Sequence, residues 1–216
     1  TLNMSVQIEA FTFNAFQENT FVVSKGQDAV IIDPGCYTKE EEHLLLDYIQ
    51  LNGLKVHAIL YTHAHIDHIL GADFCARTFQ APAFLHPEDH QTWISVKNYA
   101  HLYGFENYKE TSVPNKLLED QMKLEFGQLQ FTVYHTPGHA PGHVVFYHQS
   151  GFVINGDVLF QGSFGRVDLP GGNLATLKKS IHEVLFKFPE QTIVYCGHGP
   201  STTIGAELKT NYILQF

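Results

Sequence analysis

Six residues, His63-Ala64-His65-Ile66-Asp67-His68, crowd four groups able to ligate a metal into one short stretch. The stretch directly follows the apolar run Val56 to Tyr61, which reads as a buried strand. In extended chain His63 and His65, two residues apart, share a side. Asp67 is placed to cap a helix running towards Phe79, so the four groups gather at a strand-to-helix junction, where binding sites commonly form. Three further residues repeat this placement: His139 in Thr136-Pro137-Gly138-His139, Asp157 in Asn155-Gly156-Asp157, and His198 in Cys196-Gly197-His198-Gly199-Pro200. Each follows a strand and adjoins a glycine, which permits the tight backbone needed to aim a ligand inward.

Composition agrees with metal chemistry. The chain carries 14 His against 13 Lys plus Arg, more than a balanced surface requires. The net charge of −9 argues against nucleic acid or an anionic membrane as the main partner. No run of about 18 apolar residues is present, and no basic start with an apolar stretch marks secretion, so a cytoplasmic location is expected. The cysteines, Cys36, Cys75 and Cys196, are odd in number with no C-x-x-C; buried free thiols in a reducing compartment are expected rather than a disulfide framework. At 216 residues the chain suits one domain, 1–216, with a sizeable core.

Strands and helices alternate in each half. Val6 to Phe13, Thr20 to Ser24 and Ala29 to Asp33 read as strands. Thr38 and Glu41 form a capping-box pattern ahead of a helix that Asn52-Gly53 ends. Residues 86–118, with Trp93, Tyr99, Tyr103, Phe105 and Tyr108, read as a helical excursion that could overhang the site. Met122 to Phe126 and Leu129 to His135 flank the hairpin pair Gly127-Gln128, followed by strands Val144 to His148 and Phe152 to Asn155. Asn173 caps a helix that Pro189 stops; Thr192 to Tyr195 is the last strand, and 202–213 a terminal helix. The pattern predicts an α/β (α+β) architecture of two sheets covered by outer helices.

H-x-H-x-D-H, then a lone His, an Asp and a G-H, resembles the metallo-β-lactamase superfamily over about residues 19 to 200. The resemblance implies a four-layer αββα sandwich with two divalent metal ions, zinc first and iron or manganese as alternatives. His63, His65 and His139 would hold one ion, Asp67, His68 and His198 the other, with Asp157 bridging. Asp67 and Asp157 would also orient a bridging hydroxide, the nucleophile that such a pair supplies. His143 is read as supporting the site rather than ligating, and His86 and His143 are the remaining His with the best claim to a role beyond packing.

True β-lactamases of the superfamily commonly place Cys where Asp157 stands, which points away from that branch. The stretch Gly156-Asp157-Val158-Leu159-Phe160, followed by Gly162-Ser163-Phe164-Gly165-Arg166-Val167-Asp168-Leu169-Pro170-Gly171-Gly172, resembles short bacterial glyoxalase II-like proteins, as does Thr136 to His143. That implies hydrolysis of a small-molecule thioester such as S-lactoylglutathione. Arg166 is expected either to pair with a substrate carboxylate or to form a structural ion pair with Asp168. Full-length glyoxalase II has a C-terminal helical domain for glutathione; only one helix is expected after His198 here, so weaker glutathione contacts are expected. The alternatives are a mononuclear-iron persulfide dioxygenase using His63, His139 and Asp157, and a lactonase or esterase of the same fold.

Overall fold

The computed structural model describes residues 5–216. In chain order the strands and helices are β1 (Gln7–Phe13), β2 (Glu18–Lys25), β3 (Asp28–Ile32), α1 (Lys39–Leu51), β4 (Lys55–Leu60), α2 (Ala72–Phe79), β5 (Ala83–Leu85), α3 (His90–Ser95), β6 (Lys116–Leu117), β7 (Lys123–Phe126), β8 (Leu129–His135), β9 (Val144–His148), β10 (Phe152–Gly156), β11 (Leu159–Phe160), β12 (Ser163–Phe164), α4 (Leu174–Glu183), β13 (Ile193–Cys196), β14 (Thr202–Thr203) and α5 (Ile204–Thr210). Two six-stranded sheets result, ordered β1-β2-β3-β4-β5-β6 and β14-β13-β10-β9-β8-β7.

Strand parity explains the layering. Phe21, Val23, Val30, Ile32, Ala58 and Leu60 meet Phe131, Val133, Val144, Phe146 and Ile154 between the sheets. The alternate residues Val22, Ile31 and Ile59 face the other way, onto Leu45 and Ile49 of α1 and Cys75 of α2. In the second sheet Val145, Val153 and Val194 turn outward onto Leu177 and Ile181 of α4 and Ile204 of α5. Side chains alternate across a strand, so a central strand covered on both faces must be apolar throughout. The result is the expected αββα sandwich in one domain.

Local chemistry sets the element ends. Thr38 and Glu41 close the capping box of α1, and Asn173 accepts from the Thr176 N–H to start α4. The Gly127-Gln128 hairpin joins β7 to β8. Four expectations need correction. Asp67 does not cap a helix: it lies in a 3-10 turn, Ile66–His68, and α2 begins after Gly71, because the Asp67 carboxylate is spent on His198 at 2.9 Å. Residues 86–118 are helical only as far as Tyr103; Gly104 (φ 85°) ends the last turn, and Lys116–Leu117 pairs with β5 as an edge strand. The strand expected at Thr192 to Tyr195 is displaced to Ile193–Cys196 and is not the last, since β14 follows it. The terminal helix is shorter, since Thr202–Thr203 pairs with β13 and Asn211 separates α5 from a final 3-10 turn. No described helix is long and apolar enough to cross a membrane.

Candidate metal centre

All seven expected ligands converge at one edge of the two sheets. His63, His65 and His68 follow β4, His139 follows β8, Asp157 follows β10 and His198 follows β13. Their ligating atoms fall into two clusters, His63–His65–His139 and Asp67–His68–Asp157–His198, each with all atoms within 4.8 Å of one another. Asp157 Oδ2 stands between the clusters. It is 3.7 Å from His63 Nε2, 3.5 Å from His139 Nε2, 3.1 Å from His68 Nε2 and 3.5 Å from His198 Nε2.

The rings are aimed from behind. The Nδ1 atoms of His63, His68, His139 and His198 rest on Thr62 Oγ1 (2.8 Å), Asp33 Oδ2 (2.9 Å), the Arg166 carbonyl (2.7 Å) and the Phe16 carbonyl (3.1 Å). Thr62 donates its one hydroxyl proton to Asp33 Oδ2 at 2.6 Å, so it accepts from His63 Nδ1–H and leaves the Nε2 lone pair pointing inward. His143 lies outside both clusters. Its Nε2 accepts the Asp157 N–H at 3.1 Å, and its ring stacks on His63 at 4.5 Å, so it holds the Asp157 backbone in place. Gly156 adopts φ 56°, and a Cβ there would lie 2.6 Å from Thr62 Oγ1 and 2.7 Å from His143 Nε2; no other residue fits without displacing both.

Three buried acids escaped the sequence reading as site residues. Asp33 sits at φ 52°, accepting Thr62 N–H (2.7 Å) besides the Thr62 hydroxyl and His68. Its signal was Asp33-Pro34-Gly35 closing the strand beside β4. Asp89 accepts the Ala64 and Gly142 N–H groups at 2.7 and 2.6 Å, joining the His63–His68 loop to the His139–His143 loop. Glu18 packs 3.6 Å from His68 Nδ1, and burial raises its carboxyl well above the usual carboxylate range.

The electrostatics fit cations. Two fully buried acceptors, His63 Nε2 and Asp157 Oδ1, have no hydrogen-bond partner, a cost of about 1–3 kcal/mol each unless something electropositive meets them. Burial drives His63 well below its ordinary pKa and His65 down to about 3, with the neighbouring imidazoles adding to the effect. Burial opposes charge on His68 and His198 too. There the Asp157 and Asp67 carboxylates prevail, holding His68 well above its ordinary value and His198 at about 10. Without a metal, two imidazolium protons therefore neutralise two carboxylates. Divalent ions would replace those protons, and the donor set of imidazoles with carboxylates suits zinc, iron or manganese.

Beside the ligands lies a cavity of about 590 Å³ whose lining includes Phe16, Tyr99, Tyr103, Leu169, Pro170 and Arg166. The Arg166 guanidinium sits at this rim and is paired with Asp168 by two bonds of 2.6 and 2.8 Å, the ion pair foreseen as one of its two roles.

Residues 13–198 match the Metallo-beta-lactamase superfamily. The chain is 39% identical to a probable metallo-hydrolase, YqgX, of Bacillus subtilis over 203 residues, 92% of each chain. It is 32% identical to the hydroxyacylglutathione hydrolase GloC of Haemophilus influenzae, covering 97% of this chain and 98% of that one. Among solved structures, BLEG-1, described as a B3 metallo-beta-lactamase, superposes with TM-score 0.88 at 36% identity over 97% of this chain and 100% of that chain. TTHA1623 in a di-iron-bound form superposes with TM-score 0.85 at 39% identity, covering 94% and 98%. The chain belongs to the metallo-beta-lactamase superfamily.

Proposed function

We propose that the protein is a dimetal thioester hydrolase of the glyoxalase II type, with S-lactoylglutathione as its reference substrate. The observation that carries this reading is the Asp157 carboxylate, within 3.7 Å of an Nε2 in each of the two ligand clusters and next to an open cavity. Two divalent ions there would supply a hydroxide near neutral pH and polarise an acyl carbonyl. The chain's own residues do the rest. His63, His65 and His139 form one ligand face, while Asp67, His68 and His198 form the other, and Asp157 serves both. Asp67 and Asp157 can each accept a proton-bearing nucleophile's hydrogen bond and so fix its direction of attack. A thiolate leaves readily and needs little help from a general acid, which suits a site whose described lining adds no carboxylic acid to Asp67 and Asp157. Arg166 can exchange Asp168 for a substrate carboxylate, because both partners are exposed and the pair is worth only a modest energy. Resemblance to GloC supports this choice of acyl bond.

The test is elemental analysis combined with thiol release from S-lactoylglutathione. Two metals per chain with rapid release are expected, and Asp157→Ala should lose metal and activity together. One iron per chain with oxygen consumption and no thiol release would transfer the assignment to persulfide oxidation, in which Asp67, His68 and His198 have no work. A second reading, β-lactam hydrolysis, is favoured by the similarity to BLEG-1. Turnover of a penicillin faster than any thioester by the same preparation would replace the thioesterase reading.

A further inference from the structure

We infer that the preferred substrate carries an uncharged acyl arm with an aryl or branched-alkyl group, seated on an aromatic wall beside the metal ligands. This inference rests on the thioester-hydrolase reading but not on glutathione as the thiol. The wall is built from Phe16, Ile66, Tyr99, Tyr103, Leu169 and Pro170, which come from four separate segments of chain. Phe16 is 38% and Tyr103 48% exposed, so neither ring is needed to fill the core. Both are nevertheless held in fixed attitudes. Phe16 lies edge-on to Tyr103 (5.7 Å, 85°) and to Phe105 (5.3 Å, 67°), and Tyr99 lies edge-on to Tyr103 (5.7 Å, 79°). Phe105 is buried and rests on Tyr37 (5.1 Å, 77°), so the array is anchored to the core rather than free to fold away. Fixed aromatic edges and faces around a gap favour another aromatic or branched group in it.

Charge gives the complementary half of the argument. Among the described residues lining the cavity, Arg166 is the one Lys or Arg, so it can meet at most one substrate carboxylate, and only by leaving Asp168. A glutathione arm brings two carboxylates and an ammonium, and the wall offers them the Thr92 and Ser95 side chains but no second cation or free acid outside the ligand cluster. Desolvating unpaired charges against such a wall is costly, whereas covering one phenyl ring corresponds to about 10- to 50-fold in binding.

The experiment uses the metal-loaded full chain and N-acetylcysteamine thioesters of 3-phenylpropanoate and acetate, with S-lactoylglutathione alongside. Each kcat/KM is normalised to the compound's own rate with hydroxide. Binding of non-hydrolysable S-(3-phenylpropyl)-N-acetylcysteamine and S-methylglutathione is read by calorimetry. The phenylpropanoyl compound should exceed both others by about tenfold or more. Phe16→Ala and Tyr103→Ala should collapse that ratio by raising KM while metal content stays at two, and Tyr103→Phe should keep it. Turnover without an aryl preference, or a preference that survives both alanine variants, overturns the inference and leaves the thioesterase reading standing. Absence of all thioester turnover, with the aryl thioether still bound more tightly and weakened by Tyr103→Ala, sinks the thioesterase reading and keeps the aromatic wall.

Discussion

Asp33 shows how much of a metal site lies behind its ligands. Its carboxylate holds the far side of the His68 ring directly and that of His63 through Thr62. Asp33→Asn should keep the fold yet weaken metal affinity by about 10- to 100-fold, read by competition with a chromophoric chelator. Unchanged affinity would mean that packing alone orients these rings. His198 makes a second prediction at this scale. Its proton, held at about 10 by the Asp157 and Asp67 carboxylates against the opposing effect of burial, must leave before Nε2 can bind a cation. Affinity should fall by at least about tenfold for each pH unit from 8 to 6. The metal-free fold should behave in the opposite sense. A raised imidazole pKa stabilises fully below the ordinary value of 6.5, and that contribution drains away as pH climbs towards about 10. Urea titrations of chelated protein at pH 6 and 9 compare the two; greater stability at pH 9 would contradict the ion pairing described.

Loops carry the site, but buried acids hold the loops. Asp89, at the start of α3, receives N–H groups from the loop after β4 and the loop after β8, 25 and 53 residues away. Asp89→Ala strands two buried donors and should cost roughly 2–4 kcal/mol by urea unfolding, with metal loading impaired as well. A loss under 0.5 kcal/mol would show that water replaces the carboxylate. These partnerships also mark the limit of what the sequence discloses. The two sheets were legible because strands such as β3 and β4 are apolar on both faces, and the ends of α1 and α4 were legible because capping is local. The clustered candidate ligands were legible because four sit in one hexapeptide and three others repeat its context. Asp33, Asp89 and Glu18 were not, since a lone acid has no periodicity and its partners are far away in sequence. The stretch after Tyr103 was misread for a related reason: Phe105 and Tyr108 pack on the core, Phe105 also against Phe16, and that tertiary demand overrides helical spacing.

At the level of the whole molecule, the ligand cluster is a buried polar region at one edge of the two sheets. Loading it stabilises the native state by mass action. At a thousandfold excess over Kd the gain is about 4 kcal/mol, which for a domain of this size is about 8–16 °C in Tm. A chelator should lower the calorimetric Tm by that amount, and re-addition of zinc or ferrous ion should restore it. A Tm that ignores chelation would mean that the imidazoles and carboxylates satisfy one another without cations.

The division of ligands between the sheets has a further consequence. His63, His65, Asp67 and His68 belong to the first half of the chain, His139, Asp157 and His198 to the second, and neither half owns a complete coordination set. An ion seated here is a clasp across the seam. The complete set forms only once both half-sandwiches have docked, so full coordination reports a late stage of assembly rather than its nucleation. Release, by the same token, breaks contacts to both halves. The clasp therefore sets how long the assembled form survives, more than how fast it is reached.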